Sequence, residues 1–126
     1  MKWVVIAALA ATLFWLYSID LWHHGYKRQP AARTQIANFL TALGAYYADV
    51  AHFPTTEQGL QALRENPGEP RWNGPYLPKD VPRDPWGMSY LYTYPGAHGD
   101  APDIISYGAD RQPGGEGISA DVVSWR

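Results

Sequence analysis

The chain has 126 residues, 46% of them hydrophobic and 17% charged, and a formal net charge of −2. That length suits one globular domain, and that charge leaves no clustered basic footprint for nucleic acid. Cysteine is absent, which excludes disulfide staples, thiolate metal sites and cysteine nucleophiles.

In chain order, the first feature is "WVVIAALAATLFWLYSIDLW" at residues 3–22, with Asp20 as its only charge. At about 1.5 Å per helical residue such a run spans a hydrocarbon layer of about 30 Å. Trp3 at one end and Tyr17 and Trp22 at the other suit the two interfaces. A cleaved secretory signal fits less well, because the run is long and the small residues Ala8 and Ala10 come early. A buried core helix would also be apolar on every side. The reading adopted is a membrane anchor over residues 3–22, with residues 1–30 as anchor and short linker and 31–126 as the folded domain. Lys2 argues for one orientation and Lys27, Arg28 and Arg33 for the other. His23 and His24 are neighbours that share no helix face and belong at the interface.

After Pro30, Ile36, Phe39, Leu40, Leu43, Tyr46, Tyr47 and Val50 recur at spacings of three and four, one apolar helical stripe. Thr34, Gln35, Asn38, Thr41 and Asp49 mark its wet side. The helix can continue from the apolar segment, with Gly25 and Pro30 as kink points. Thr55 and Gln58 have capping-box spacing ahead of Leu60 and Leu63, which predicts a short second helix. Residues 67–85 read as loop, ending in "DPWG", whose Asp84, Pro85 and Gly87 occupy preferred positions of a type I turn. Residues 89–95 alternate as a strand does, with Tyr90, Tyr92 and Tyr94 on one side. "DIISYG" (103–108) and "ADVVSW" (120–125) make two more short strands. The expected fold class is α+β, a long N-terminal helix on a small antiparallel sheet of three to four strands.

Between the last two strands lies "YGADRQPGGEGISAD", residues 107–121. Ordering such a segment costs about 1–2 kcal/mol of backbone entropy per residue, more for glycine. Only Ile118 offers aliphatic burial, and Asp110, Glu116 and Asp121 repel one another when brought close. A divalent cation relieves both problems. Calcium suits the segment better than zinc or magnesium, since it takes six to eight oxygens, backbone carbonyls included, in flexible geometry. The spacing is not that of an EF-hand, because Gln112 and Gly114 stand where Asp or Asn belongs. The plain alternative is a solvated hairpin loop.

Catalysis is not expected: Ser106, His98 and Asp84 or Asp103 supply the residue types of a triad, but no nucleophile-elbow motif surrounds Ser106. His52 and His98 read as isolated surface residues, and Asp80 and Asp84 as solvated loop acids. Trp72, Tyr76 and Trp86 offer stacking surfaces for sugars, although Tyr and Trp more often close a small core. A membrane-anchored periplasmic carbohydrate- or protein-binding module outside any filament is therefore the alternative function.

"FPTTEQGLQAL" (53–63), "DPWGMSYLY" (84–92) and "DIISYGADRQPGGEGISADVVSW" (103–125) together resemble, in that order, the major pseudopilin of bacterial type II secretion systems. The resemblance implies a pilin-like fold and a structural subunit of a periplasmic pseudopilus. It places the chain as a single-pass protein of the inner membrane, its C-terminal domain in the periplasm. Other pseudopilin subunits and inner-membrane secretion components are the implied partners, with homo-oligomers among the assemblies. It also implies a calcium ion in the C-terminal loop, held by Asp110 and Asp121 side chains, the Tyr107 carbonyl, and oxygens of Ser119 and Ala120. Glu116 would shape the loop. The resemblance weakens at the start, where "MKWVVIAALAATLFW" stands in place of the family's Gly-Phe-Thr-Leu-Ile-Glu segment. The resulting expectation is an unprocessed, membrane-held relative of the major subunit, or a regulator of its assembly.

Overall fold

The three- and four-residue spacing of apolar side chains builds the largest element, helix α1 (Lys2–Val50). It belongs to a computed structural model that describes residues 2–126, the side chains of residues 2–7 and 20–25 excepted. From position 32 onward one face is buried, through Ala32, Ile36, Phe39, Ala42, Leu43, Tyr46 and Val50. Two stripe assignments change. Leu40 is half-buried, and Tyr47 is exposed and packs its ring on Phe53, with centroids 4.8 Å apart, just past the helix exit. Gln35 and Asp49, expected on the wet side, are half-buried. Each accepts a tyrosine hydroxyl, Gln35 from Tyr90 and Asp49 from Tyr76 at 2.8 Å. The helix runs through Pro30 as one element. It ends at Ala51, whose left-handed backbone (φ 69°) carries the chain to Phe53 and Pro54.

The capping box forms in both directions: the Thr55 N–H donates to Gln58 Oε1 at 3.0 Å and the Gln58 N–H to Thr55 Oγ1 at 3.2 Å. The helix expected after it is only a 3₁₀ turn, Leu60–Leu63. Gly59, at φ 60° and ψ −167°, interrupts the helical path that the box would otherwise start. Leu60, Ala62 and Leu63 still reach the core.

The loop that follows is held by its own side chains. Trp72 Nε1 donates to the Ala62 carbonyl at 2.8 Å, and Arg64 Nη1 to that of Leu77 at 2.7 Å. Trp72 meets Tyr76 edge-on at 5.6 Å, as Tyr76 meets Tyr46. The "DPWG" turn closes as expected, the Gly87 N–H bonding the Asp84 carbonyl at 2.9 Å. Asp80 lies in solvent, 3.6 Å from Arg64. Asp84 does not. It is 4% exposed, its Oδ1 accepts the N–H groups of Trp86 and Met88 at 3.0 and 2.8 Å, and its Oδ2 accepts the Ser106 hydroxyl at 2.7 Å. The carboxylate replaces water with three donors, which is how a buried acid stays affordable.

Strands β1 (Leu91–Thr93), β2 (Asp103–Ser106) and β3 (Val122–Val123) form one antiparallel sheet in the order β1-β2-β3. Tyr92 faces Ile104 in the first pairing and Ser106 faces Val122 in the second. The alternation expected around Tyr92 holds: Tyr90 and Tyr92 are buried and Leu91 is exposed. Tyr90 meets Phe39 edge-on at 5.1 Å, and the Tyr92 hydroxyl donates to the Pro54 carbonyl at 2.8 Å. Helix and sheet thus share one core.

At the other end, Leu9, Leu13, Phe14, Trp15, Leu16 and Tyr17 are all exposed. Among the described residues no helix is long and apolar enough to cross a membrane. Of the anchor expected over 3–22, the side chains at 3–7 and 20–22 lie outside the described residues.

Two buried polar groups have opposite expected effects. Asp84→Ala strands three donors and should lower the unfolding free energy of the full-length protein in detergent by roughly 2–4 kcal/mol in urea melts. The Tyr46 hydroxyl is buried without a partner, and its pKa is pushed up to about 12 by burial first, then by Glu69 and Tyr76. Tyr46→Phe removes that unpaired group, so the same melts should move by less than about 1 kcal/mol, upward in sign.

Candidate metal site in the C-terminal loop

The loop between β2 and β3 is built on glycines because its oxygens crowd inward. A Cβ on Gly115 (φ 83°) would lie 2.3 Å from the Ser119 carbonyl oxygen and 3.1 Å from Asp110 Oδ2. On Gly108 (φ 75°) it would lie 2.8 Å from the Ala120 oxygen and 3.3 Å from that of Ser119. Left-handed backbone and missing side chain are both needed there. The Ser119 carbonyl is common to the two approaches, with a carboxylate oxygen on one side and the Ala120 carbonyl on the other.

Asp121 closes the loop from its far end. Its N–H donates to the Gly114 carbonyl at 3.2 Å, and its Oδ2 accepts the Gly114 N–H at 2.9 Å. Its Oδ1 is buried with no hydrogen-bond partner. An orphaned carboxylate oxygen in a protein interior is costly unless something positive stands beside it. Asp110 spends Oδ1 on the Gln112 N–H at 3.1 Å, while its Oδ2 is the oxygen nearest Gly115.

Of the five residues named as ligands from the sequence, the fold gathers Asp110, Ser119 and Ala120 around Gly115 and Gly108. Asp121 is tied across to Gly114, and half-buried Tyr107 precedes Gly108 directly. Glu116 is exposed. Among the described residues no three His, Asp or Glu side chains converge on one point, so an ion here would depend on main-chain carbonyls. Two carboxylates with carbonyl oxygens are a hard donor set, which fits calcium and does not fit zinc.

Sequence reading missed the supports. Arg111, at φ 58°, adopts a left-handed backbone and donates Nη2 to the Trp86 carbonyl at 3.0 Å. Ser106 Oγ, fully buried, accepts the Gly108 N–H at 3.3 Å while donating to Asp84. The loop entry is therefore fastened to the "DPWG" turn. Gln29 Nε2 reaches the Gly117 carbonyl at 2.6 Å from 88 positions away. The only local signal was Asp84 at the first position of its turn.

The other candidate groups are committed elsewhere. His98 Nδ1 bonds Asp103 Oδ2 at 2.8 Å and its ring stacks on Trp125 at 3.6 Å, whereas Ser106 bonds Asp84. The triad residue types thus fall into two separate pairs. His98 is not isolated, and neither is His52, whose Nε2 lies 3.2 Å from Glu69. Trp86 is buried in the core, and Trp72 and Tyr76 are half-buried against it; none is a free platform for a sugar.

A long N-terminal helix laid on a short antiparallel sheet, whose last connection is a Gly-rich acidic loop, is the pilin-like architecture. The family described as "Type II secretion system (T2SS), protein G" matches residues 21–125, and the chain belongs to that family. It is 43% identical over 101 residues to the type II secretion system core protein G of Vibrio cholerae, covering 77% of this chain and 68% of that one. The Pseudomonas aeruginosa core protein G is 40% identical over 98 residues, covering 75% and 68%. The crystal structure of the major pseudopilin from the type 2 secretion system of enterohaemorrhagic Escherichia coli superimposes with a TM-score of 0.66 at 30% identity. That match covers 79% of this chain and 84% of the other.

Asp103 sets an acid limit on the fold. Burial alone would raise its pKa, but hydrogen bonds from His98 and the Ala97 N–H outweigh that and hold the carboxyl below its ordinary value. The folded state then binds fewer protons than the unfolded one, so this contribution is complete above the ordinary aspartate range and is lost as pH falls through the lowered value. Thermal melts between pH 7 and pH 3 should show a steeper acid loss for the parent than for Asp103→Asn.

Proposed function

We propose that the protein is a calcium-stabilised structural subunit of a type II secretion pseudopilus. In this reading it is held in the inner membrane by residues 3–22, with its C-terminal domain in the periplasm. The observations that carry the metal reading are the Ser119 carbonyl, which lies near Asp110 Oδ2 at Gly115 and near the Ala120 carbonyl at Gly108, and the Asp121 Oδ1, which is buried without a hydrogen-bond partner in the same loop. Calcium bound there would neutralise the carboxylates and bridge the two ends of the loop. The Tyr107 carbonyl, at the end of β2, completes the proposed donor set.

Membrane attachment is supported by the exposed run Leu9, Leu13, Phe14, Trp15, Leu16 and Tyr17, which water does not favour. Past the anchor, α1 presents small and polar residues on its outer face, Ala37, Asn38, Thr41, Gly44, Ala45 and Ala48, all exposed. That face allows another helix to approach closely and is the proposed lateral surface for other pseudopilin subunits. Partnership with secretion components of the inner membrane is part of this proposal, and membership of the family supports it.

Calcium at about 100 times its dissociation constant should add roughly 2.7 kcal/mol to the stability of the full-length protein in detergent, read as a rise in Tm over a chelated sample. Asp110→Ala and Asp121→Ala should lose that rise, and Glu116→Ala should keep most of it. Identical behaviour of parent and both Asp variants, with and without calcium, would remove the metal from the proposal. For the assembly, cysteine pairs placed at Asn38 and Ala45 should crosslink neighbouring copies in native membranes when the other secretion components are present. A strictly monomeric product would contradict the filament role.

A further inference from the structure

The acidic loop buries little of its own. Glu116, Gly117 and Ile118 are exposed, and Ile118, its one aliphatic side chain, keeps 51% of its surface in water. Yet its 3₁₀ turn, Gly117–Ser119, lies against α1. Among the described residues, Gln29 makes a polar contact there. Gln29 Nε2 donates to the Gly117 carbonyl at 2.6 Å and approaches the Ala120 carbonyl at 3.5 Å. Two carbonyl oxygens facing one side-chain amide require its NH₂ end between them.

Those carbonyls flank the turn on either side. The Ala120 N–H closes the turn onto the Gly117 carbonyl at 3.2 Å, so the Gln29 amide spans a closed unit with Ser119 inside it. The Ser119 carbonyl is the oxygen shared by the Gly115 and Gly108 approaches. An amide that fixes Gly117 and Ala120 therefore fixes where the Ser119 carbonyl points. Within the loop, Arg111 is tied to the Trp86 carbonyl and Asp121 to Gly114, and Gln29 adds the hold that comes from α1.

We propose that Gln29 is a positioning residue for the metal loop: from the long helix, its side-chain amide holds the Gly117–Ala120 carbonyls in the arrangement that receives the cation. This rests on the calcium reading above and extends it. The site thereby becomes a joint product of helix and loop, and ion binding and helix–loop docking strengthen each other by thermodynamic reciprocity. Gln29 stands just ahead of Ala32, the first buried residue of the helix among the described side chains. Calcium would therefore secure α1 where it leaves the domain for the apolar segment.

The test is calcium titration of the full-length protein in detergent, comparing the parent with Gln29→Met, which keeps length and helix propensity but has no donor. The expected result is a Kd for calcium raised about 2- to 10-fold, the range that follows from losing one hydrogen bond. Amide exchange at residues 117–121 should be faster in Gln29→Met with chelator present. Gln29→Asn, one methylene short, should weaken binding in the same direction and serves if the Met variant folds poorly. Gln58→Ala, which breaks the capping box far from the loop, should lower Tm and leave the calcium Kd unchanged; a general loss of stability would not distinguish these two positions. A parent that responds to calcium beside a Gln29→Met with the same Kd overturns the role of Gln29 alone. A parent with no calcium response overturns the metal reading itself, and this proposal with it.

Discussion

Strands of three, four and two residues cannot make a stable sheet in water, so everything beyond α1 depends on the apolar face that the helix offers. Phe39, Leu43 and Tyr46 are almost completely buried on one side, as are Leu63 and Ile104 on the other. Each large side chain so buried contributes about 1.5–3 kcal/mol. The aromatic contacts are mostly edge-on, Phe39 to Tyr90, Tyr46 to Tyr76 and Trp72 to Tyr76. These pairs let a small number of residues fill the volume between one helix and a narrow sheet. The tyrosine hydroxyls at the core edge then bind helix and loops to one another, Tyr90 to Gln35 and Tyr92 to the Pro54 carbonyl.

Loops make up much of the remaining chain, and polar groups on the sheet and helix hold them. The buried Asp84 carboxylate gathers Trp86, Met88 and Ser106, and Ser106 passes the connection to the Gly108 N–H. Arg111 returns it to the Trp86 carbonyl. A left-handed non-glycine residue costs of order 1 kcal/mol, and the guanidinium bond helps to offset that. The "DPWG" turn and the C-terminal loop are thus one polar unit, although distant in sequence.

The family sets this arrangement in context. The chain shares its helix-on-sheet fold with the Escherichia coli major pseudopilin, and within it the exposed face of α1 and the described apolar side chains Leu9, Leu13, Phe14, Trp15, Leu16 and Tyr17 are free of the core. The core thus takes one face of the helix only, and the loop site lies beside the point where the helix enters the domain. A proposed cation there touches the mechanical junction of the molecule and not merely a hairpin tip.

Sequence by itself determined the helix stripe from Ile36 to Val50, the capping box at Thr55 and Gln58, the "DPWG" turn and three short strands. Each of these follows from spacing or local backbone chemistry, which residues carry wherever they are placed. It also marked Asp110, Glu116 and Asp121 as carboxylates that repel one another in a flexible loop, since charge and glycine content are legible without a fold. Only the tertiary structure decided that Asp84 is buried, that His98 pairs with Asp103, and that Gly59 reduces the second helix to one turn. The same holds for Gln29, whose chemical neighbours are 88 positions away. A polar side chain in a helix looks the same in sequence whether it faces water or a carbonyl, because its role is set by what the rest of the chain brings to it.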